Sequence, residues 1–399
     1  MQLTNRQIFQ NYLAIPSNLS NPLEIVKAEG IYIFGDDGKK YIDLVSGVSV
    51  SNVGHRHPKV VVAVKDQLDN YMHLMVYGKY IQSPQVQLTK RLIDNLPKDL
   101  NSVYFVNSGS EAVEGALKLA KRITGRTGII AFNDAYHGST HGALSVLGNE
   151  EMKNSFRPLL PDVYLYNFND YEVIDCISSD IACLIMEPIQ TEAGIILPDK
   201  VWMREIRAKC KETGTILIFD EVQVGFGRTG KLFAFENYDV VPDILCHAKA
   251  MGSGMPVGAF ISSSDNMNKL THNPALGHIT TFGGHPVSCA AALAGLNIIL
   301  DEKLHDKANQ KGKLFLELLS SQALIKGIRQ IGLMLGVEIV SPYKVSDLIG
   351  IFLNNGLIVD QFLFNETSFR IAPPLTITEE EIELIVSKIV QSLKELERV

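Results

Sequence analysis

Short apolar segments that alternate with helical patterns between residues 55 and 285 constrain the fold of this chain more than any other feature. The segments with the length and composition of buried strands are 103–106, 128–132, 181–186, 216–219 and 258–261. Strands separated by helices need crossover connections, which favour a mostly parallel sheet flanked by helices, an α/β fold. Ligands of such sheets bind beyond the carboxyl ends of the strands, so functional residues are expected there.

Three regions are predicted along the 399 residues, because a chain of this length exceeds the usual limit of one hydrophobic core. Residues 1–54 form an N-terminal arm with a hairpin of strands 30–34 and 40–44, and this arm is expected to be part of the small domain. Residues 55–285 form the large domain. Residues 286–399 form a small α+β domain, with a long helix from about Pro286, short strands at 336–339 and 369–371, and a closing helix over 379–398.

Charge and cysteine content exclude several classes of protein. The net charge of -7 and the lack of a sustained Lys/Arg block argue against nucleic acid or an anionic membrane as the main partner. Five widely spaced cysteines without a Cys-x-x-Cys pair indicate neither a disulfide framework nor a zinc cluster, and no metal site is expected. Residues 1–6 lack the apolar region of a signal peptide, and no run approaches the ~18 apolar residues of a membrane span. We expect a cytoplasmic protein.

The strongest functional signal is a lysine that follows a carboxylate at the end of a strand. Asp220 ends the apolar segment 216–219, and Lys249 lies shortly before the glycines Gly252 and Gly254. A lysine can hold the aldehyde of pyridoxal 5'-phosphate as a Schiff base, and a carboxylate can keep the pyridine nitrogen protonated. The pair therefore indicates pyridoxal phosphate as the cofactor.

Two further segments follow strands whose ends should lie at the same edge of the sheet. Ser108, Gly109 and Ser110 precede a helix over 112–123, where free backbone N–H groups suit a phosphate. The alternative is a simple helix N-cap made by Ser108 or Ser110. After the strand 128–132, Tyr136 can stack on a heteroaromatic ring and His137 can orient neighbouring groups, although an aromatic residue here is also compatible with plain packing.

Charged residues near the ends of two other strands suggest a carboxylate clamp. Glu187 follows the segment 181–186, Glu192 lies five residues later, and Arg370 lies on a short strand before a Pro-Pro pair. A buried arginine can bind a carboxylate with two hydrogen bonds, and a nearby glutamate can neutralise it when no such substrate is present. A purely structural ion pair is the alternative.

These motifs, taken in order over most of the chain, resemble those of the class III aminotransferases. This family of fold-type I pyridoxal-phosphate enzymes includes the acetylornithine, ornithine and 4-aminobutyrate aminotransferases. The matching segments are 54–58, 107–112, 136–138, 187–190, 220–230, 248–249, 280–284 and 370–374. The resemblance implies a large domain with a mostly parallel sheet of seven strands and a small α+β C-terminal domain. It also implies transfer of an amino group from an amino acid or ω-amine to an α-keto acid by a ping-pong mechanism.

The same resemblance implies a role for each residue that matches a family motif. The expected cofactor-binding residues are Ser108, Gly109, Ser110, Tyr136, His137, Glu187, Asp220, Val222, Gln223, Lys249 and Thr281. Lys249 would carry the Schiff base and move the substrate proton, and Asp220 would hold the pyridine nitrogen. Thr281 would reach the phosphate of the neighbouring subunit, which implies a homodimer.

Substrate residues are also implied, and two of them depart from the family pattern. Arg370 would bind a substrate carboxylate, and Glu192 would mask Arg370 during the half-reaction with an ω-amine. Ser139 stands where the named members commonly carry an arginine for a second carboxylate, and a hydroxyl cannot replace a guanidinium there. Val48 stands where the ornithine enzyme has a tyrosine, whereas Tyr77 matches a second tyrosine of the pocket. The departures argue against ornithine and against a preference for the pair of glutamate and 2-oxoglutarate.

The cofactor residues alone leave other functions open. An amino-acid epimerase or a decarboxylase of the same fold uses the same cofactor site, and Ser139 suits an epimerase because that enzyme needs no site for a second, dicarboxylic substrate. A catalytically silent protein that binds the cofactor is a third alternative. Degenerate relatives typically lose the lysine or the carboxylate, and here Lys249 and Asp220 are both present.

Overall fold

The structure is a computed structural model that describes residues 3–16 and 22–398. Residues 1–2 and 17–21 of the predicted arm, and residue 399 of the predicted small domain, lie outside the described residues.

Fifteen strands and fourteen α-helices are described. The strands are β1 Ile25–Glu29, β2 Tyr32–Gly35, β3 Lys40–Asp43, β4 Ser102–Val106, β5 Gly128–Phe132, β6 Val163–Tyr166, β7 Ile181–Met186, β8 Ile216–Asp220, β9 Ile244–His247, β10 Gly258–Ser262, β11 Ile325–Ile331, β12 Met334–Ile339, β13 Leu357–Ile358, β14 Gln361–Phe362 and β15 Asn365–Ile371. The helices are α1 Asn5–Tyr12, α2 Ser46–Ser49, α3 Pro58–Asn70, α4 Ser83–Ile93, α5 Gly109–Thr124, α6 His141–Ser145, α7 Glu150–Lys153, α8 Glu172–Cys176, α9 Lys200–Thr213, α10 Ser264–Met267, α11 Pro286–Asp301, α12 Leu304–Leu319, α13 Val345–Asn354 and α14 Glu379–Leu396.

The central sheet has seven strands in the order β4-β10-β9-β8-β7-β5-β6. Strands β5 to β9 pair with one another in parallel, and β10 runs antiparallel to both β4 and β9. The predicted α/β fold with a mostly parallel seven-stranded sheet is confirmed. Sequence patterns missed β6 and β9, because β6 is a partly exposed edge strand and β9 has only four residues.

The register of the parallel strands brings the predicted functional residues to one edge of this sheet. Met186 at the end of β7 pairs with Phe219 of β8, so Glu187 follows beside Asp220. Asp220 in turn pairs with Cys246 of β9, and Lys249 lies three residues beyond that position. Hydrogen bonding between strands therefore fixes where the backbones of these three residues lie.

Two smaller sheets complete the fold. The predicted hairpin is present as the antiparallel pair β2 and β3, and β13 from the C-terminal region pairs parallel with β3 through Leu357 and Ile42. The remaining sheet has the order β11-β12-β15-β14. Pairing of β3 with β13 supports a small domain that includes the N-terminal arm, and the boundaries at 54 and 285 stay a prediction.

Apolar packing holds these layers together. Trp202 of α9 is fully buried, with its ring centroid 5.5 Å from that of Phe132 and 5.1 Å from that of Phe168, in edge-on geometry. Helix α11 packs against α3 and α4, and α14 buries the apolar face that its spacing predicted. Among residues 3–16 and 22–398, no helix is long and apolar enough to cross a membrane.

Candidate cofactor and substrate site

A cavity of about 460 Å³ lies at the edge of the central sheet where the parallel strands end. Its wall contains residues that follow β4, β5, β7, β8 and β9, together with the segment that leads into β10. The lining residues are Val50, Asn107, Ser108, Gly109, Ser110, Tyr136, His137, Gly138, Glu187, Thr191, Asp220, Val222, Gln223, Ala248, Lys249, Gly254, Met255, Pro256 and Val257. Ten of the sequence-predicted cofactor residues are thus in one cavity, all except Thr281.

One end of the cavity is formed by the N-terminus of α5. Ser108 is the N-cap residue, and its Oγ accepts a hydrogen bond from the Glu111 N–H at 3.2 Å. The first N–H groups of a helix have no acceptor within the helix, and the helix dipole favours an anion there. Ser110 Oγ accepts from the Ser139 N–H at 3.2 Å, so Ser110 is not the cap. This end has the donors and the charge that a phosphate requires.

The floor of the cavity holds a buried carboxylate with two partners. Asp220 Oδ2 lies 2.7 Å from His137 Nδ1, and Asp220 Oδ1 accepts from the Val222 N–H at 3.0 Å. Asp220 is 4% exposed and His137 is 3% exposed, so this contact is shielded from water. An ionised carboxylate in this position can accept the Nδ1 proton of His137 and still face a cation in the cavity.

Glu187 lies beside this pair and is itself buried. Its carboxylate accepts hydrogen bonds from the Tyr136 N–H at 3.1 Å and from the Thr191 N–H at 3.0 Å. Burial raises the pKa of Glu187 to about 7, although neighbouring His137 and the bonds from Thr191 oppose the change, and the charge of Asp220 adds to it. Glu187 therefore fixes the backbone at Tyr136, and its charge changes near neutral pH.

Lys249 has both an unusual backbone and an unusual environment. Its φ of 47° lies in the left-handed region, which costs energy for a residue with a Cβ. Burial lowers the pKa of its ammonium group, and Arg370 lowers it further, whereas the carboxylates of Glu192 and Asp220 oppose the change. A lowered pKa increases the fraction of neutral amine, which is the form that attacks a carbonyl.

A buried ion pair joins the loop after β7 to β15. Arg370 Nη2 donates to both carboxylate oxygens of Glu192, at 2.7 and 2.8 Å. Burial alone would raise the pKa of Glu192, but Arg370 and hydrogen bonds from Leu363 and Gln223 hold it below its ordinary value. Within the described part of the chain, Nε and Nη1 of Arg370 are buried without a hydrogen-bond partner. Two nitrogens of the guanidinium therefore remain available as donors.

Gln223 connects the ion pair to the cavity. Its Nε2 donates to Glu192 Oε1 at 2.8 Å and to Thr191 Oγ1 at 3.2 Å. Its Oε1 is buried and has no hydrogen-bond partner among the residues described. Because a buried acceptor without a donor is costly, this atom is suited to a ligand hydroxyl.

Predicted substrate residues and Thr281 are not in the cavity wall. Ser139 is exposed, although its Oγ lies 3.2 Å from the Tyr136 hydroxyl. Tyr77 and Thr281 contact each other instead, with 3.4 Å between their hydroxyl oxygens. Glu192 and Arg370 lie behind Gln223, as described above.

Val48 is also outside the wall, because the chain around it has an uncommon conformation. Ser46, Gly47, Val48 and Ser49 all have positive φ, so they form one left-handed turn, and Val50, directly after the turn, lines the cavity. The substrate roles of Val48, Tyr77, Ser139, Glu192 and Arg370 stay predictions.

Several lining residues were missed by the sequence patterns. Thr191 lies one residue before Glu192 and resembles an ordinary loop residue in the sequence. Met255, Pro256 and Val257 precede β10, whose amino end reaches the same edge only because this strand runs antiparallel. The sequence of residues 255–257 has no pattern that indicates this reversed direction.

These observations fit pyridoxal phosphate. The cavity combines an anion-binding helix terminus, a buried carboxylate, a lysine with a lowered pKa and an acceptor that lacks a donor. The end of the cavity at the N-terminus of α5 is closely packed, since a Cβ on Gly138 would lie 1.9 Å from Ser110 Oγ. In the part of the chain that the structure describes, no group of three or more His, Cys, Asp or Glu side chains is arranged to hold a metal ion.

Fold and site together define a pyridoxal-phosphate-dependent transferase, and comparison with known proteins gives the family. The model of the family "Aminotransferase class-III" matches residues 15–393. The chain belongs to the class III aminotransferases and is a pyridoxal-phosphate-dependent transaminase, which transfers an amino group from an amine donor to a keto acid. The family and the reaction predicted from the sequence are therefore confirmed.

Relatives with different names are similar to this chain at nearly the same level. The acetylornithine aminotransferase of Methanopyrus kandleri is 41% identical, over 94% of this chain and 95% of that protein. The LysW-aminoadipate semialdehyde/glutamate semialdehyde transaminase of Sulfolobus acidocaldarius is 37% identical, over 90% of this chain and 92% of that protein. The structure of ornithine aminotransferase from Toxoplasma gondii aligns with a TM-score of 0.90 at 29% identity, covering 99% of this chain and 96% of that one.

We expect Gly138→Ala to weaken cofactor binding. The new Cβ would overlap Ser110 Oγ, and the φ of 123° at this residue is unfavourable for alanine. The dissociation constant of pyridoxal phosphate, measured by absorbance titration, should rise about tenfold or more, since each 1.4 kcal/mol is a factor of ten.

Gly38→Ala is the matched control for this variant. Gly38 also has a positive φ, 76°, but among the described residues no atom lies within 4 Å of the added Cβ. Equal loss of cofactor affinity in both variants would contradict a specific role for the Gly138 contact.

Proposed function

We propose that Lys249 is the covalent anchor of the cofactor and the group that moves the substrate proton. The lowered pKa supports this role, because a neutral amine can take a proton from carbon and return it to a neighbouring carbon. Bound pyridoxal phosphate supplies an electron sink for the negative charge that proton removal leaves on the substrate. Lys249 is half-buried in the cavity wall, so solvent has limited access to the proton it carries.

Asp220 and His137 would act as a unit on the pyridine nitrogen. A carboxylate that stays ionised next to that nitrogen keeps it protonated, which increases the electron demand of the ring. The contact of 2.7 Å with His137 orients the carboxylate, and burial strengthens the interaction because water does not screen it. Tyr136 and Val222 would contact the ring faces, and Gln223 Oε1 would accept the proton of the ring hydroxyl.

The Arg370–Glu192 pair carries our proposal for the substrates. Arg370 would bind the carboxylate of an α-keto acid once Glu192 swings away, because Nε and Nη1 provide additional donors. With Glu192 in place, the guanidinium is neutralised, and an ω-amine donor with no carboxylate at that end can enter. One site would thereby serve both half-reactions of a ping-pong cycle. Donors of the acetylornithine type are the first to test, as the names of similar proteins suggest.

A panel of donors with pyruvate or 2-oxoglutarate tests this function. Glu192→Gln tests the proposed switch, in which Glu192 and a substrate carboxylate bind Arg370 in turn. The neutral amide cannot neutralise Arg370, so kcat/KM for ω-amine donors should fall relative to that for α-amino acids, by about tenfold for a loss of 1.4 kcal/mol. Glu338→Gln is the control, because Glu338 also binds an arginine, Arg329, at 2.7 Å, in a pair outside the cavity wall.

Amino transfer must occur with at least one donor of the panel. If no amino group moves while a single amino acid loses optical purity, the protein is an epimerase and our proposal is wrong. If Glu192→Gln leaves the ratio of kcat/KM for ω-amine donors to that for α-amino acids unchanged, only the proposed switch is wrong.

We also propose a homodimer in which Thr281 completes the neighbouring site. An exposed apolar surface supports it, made by residues 72–81 and 276–282, which contact each other through the rings of His73 and Phe282. Its exposed apolar side chains are Met72, Leu74, Met75, Tyr80, Ile81, Leu276, Ile279 and Phe282. The surface adjoins the cavity, because Asn107 of the wall donates from Nδ2 to Thr280 Oγ1 at 2.9 Å. Thr281 is exposed and outside the wall of its own cavity, as a residue that serves a partner would be. Cytoplasmic location stays a prediction from the sequence.

Ile81→Glu should produce monomers with weaker cofactor binding. Ile81 is 94% exposed, so a charge there costs little in the isolated chain but is expensive in an apolar interface. Sedimentation velocity measures the oligomer, and absorbance titration measures the cofactor. Val62→Glu, at a 56% exposed residue outside this surface, should leave both unchanged. A wild-type protein that sediments as a monomer would refute the dimer.

A further inference from the structure

A second cavity lies beside Ser139, the residue that departs from the family pattern. Its volume is about 520 Å³, and its apolar wall consists of Leu144, Leu147, Met152 and Phe156. Leu147 is fully buried, whereas Phe156 is 57% exposed, so the cavity extends from the protein interior at Leu147 to the solvent at Phe156. Bound apolar groups would cover surface that water now contacts, which favours binding.

Ser139 separates this second cavity from the cofactor cavity. Its side chain lines the second cavity, and its Oγ lies 3.2 Å from the hydroxyl of Tyr136. Its N–H donates to Ser110 Oγ at 3.2 Å, and both Tyr136 and Ser110 line the cofactor cavity. A small side chain of one cavity wall is therefore in contact with two residues of the other wall.

Among the described residues, the wall of the second cavity offers no lysine or arginine to a carboxylate. Its two titratable side chains are His141 and Glu151, and the carboxylate of Glu151 repels an anionic substrate group. The lysine and the arginine nearest in sequence, Lys153 and Arg157, both pair with Glu150. Lys153 is 4% exposed, and burial lowers the pKa of its ammonium group, so it is poorly placed to serve a ligand.

We propose that this second cavity, entered past Ser139, binds the apolar side chain of the amino substrate. The carboxylate of that substrate would bind Arg370, its amino group would face Lys249, and its side chain would pass Tyr136 toward Leu144 and Phe156. The substrate class is then an amino acid with an apolar chain, together with the corresponding keto acid, rather than a dicarboxylic pair. This inference rests on the proposed function and specifies its substrate.

A series of straight-chain amino acids from 2-aminobutyrate through norvaline to norleucine tests the inference, with pyruvate as the acceptor. Each methylene that enters the cavity should raise kcat/KM about fourfold, the factor that ~0.8 kcal/mol per buried methylene gives. Norleucine should then exceed glutamate as a donor. Flat or falling values along the series, in an enzyme that transfers amino groups, would overturn the inference and leave the proposed function intact.

Two variants test whether the rise in kcat/KM with chain length arises from binding in the second cavity. Ser139→Arg should lower kcat/KM for norleucine and raise it for glutamate, because the guanidinium would occupy the proposed route into the second cavity and would bind a second carboxylate. Phe156→Ala should reduce the norleucine to 2-aminobutyrate ratio about fourfold or more, while activity with 2-aminobutyrate is retained. Leu160→Ala is the control, since Leu160 is also exposed, at 37%, but is not part of the cavity wall.

The variants also separate the possible failures. An unchanged ratio in Phe156→Ala, or an equal change in Leu160→Ala, contradicts binding in this cavity. Absence of amino transfer from every donor to every acceptor contradicts the proposed function itself. If Ser139→Arg loses activity with both glutamate and norleucine, the predicted change of preference from norleucine to glutamate is wrong.

Discussion

The buried contact between Asp220 and His137 is the interaction on which the rest of the site depends. A carboxylate 4% exposed at the end of a central strand is costly unless it has partners. Here those partners are His137 at 2.7 Å, the Val222 N–H and, in the proposed complex, a protonated pyridine nitrogen. The parallel pairing of β7, β8 and β9 fixes the backbone positions of Glu187, Asp220 and Lys249 around this charge.

Electrostatics then divide the cavity wall into regions with different tasks. The N-terminus of α5 suits an anion, whereas burial at the other side lowers the pKa of Lys249 and raises that of Glu187. Behind the wall, Glu192 and Arg370 neutralise each other, so the end that we propose for the substrate carries no net charge while they are paired. A carboxylate can bind there only if it replaces one already present, which is the physical basis of the proposed switch.

Much of this site was predictable from sequence, because parallel strands place their ends together. Asp220, Glu187 and Ser108 are polar residues one or two positions after apolar segments. Val50 was missed, since its place depends on the left-handed turn at Ser46–Ser49, and residues 255–257 were missed, since they depend on the reversed direction of β10. Local patterns contain little information about either feature.

In our proposal, substrate specificity depends on side-chain volume beside Ser139 more than on a sequence motif. Ser139 was recognised in the sequence as the lack of a positive charge, but the cavity beside it became visible only in three dimensions. Its wall comes from α6, α7 and the turn after them, whose residues show no functional pattern in the sequence. Two relatives with different names are 41% and 37% identical to this chain.

The central claim is that Lys249 forms the covalent link to pyridoxal phosphate, and reduction followed by peptide mass spectrometry tests it most directly. Borohydride should fix one cofactor per chain, with the added mass on the peptide that contains Lys249, and Lys249→Ala should carry none. Lys153, which is buried elsewhere in the chain, serves as an internal control and should remain unlabelled. Added mass on any other lysine, or an unchanged label in Lys249→Ala, would contradict the account.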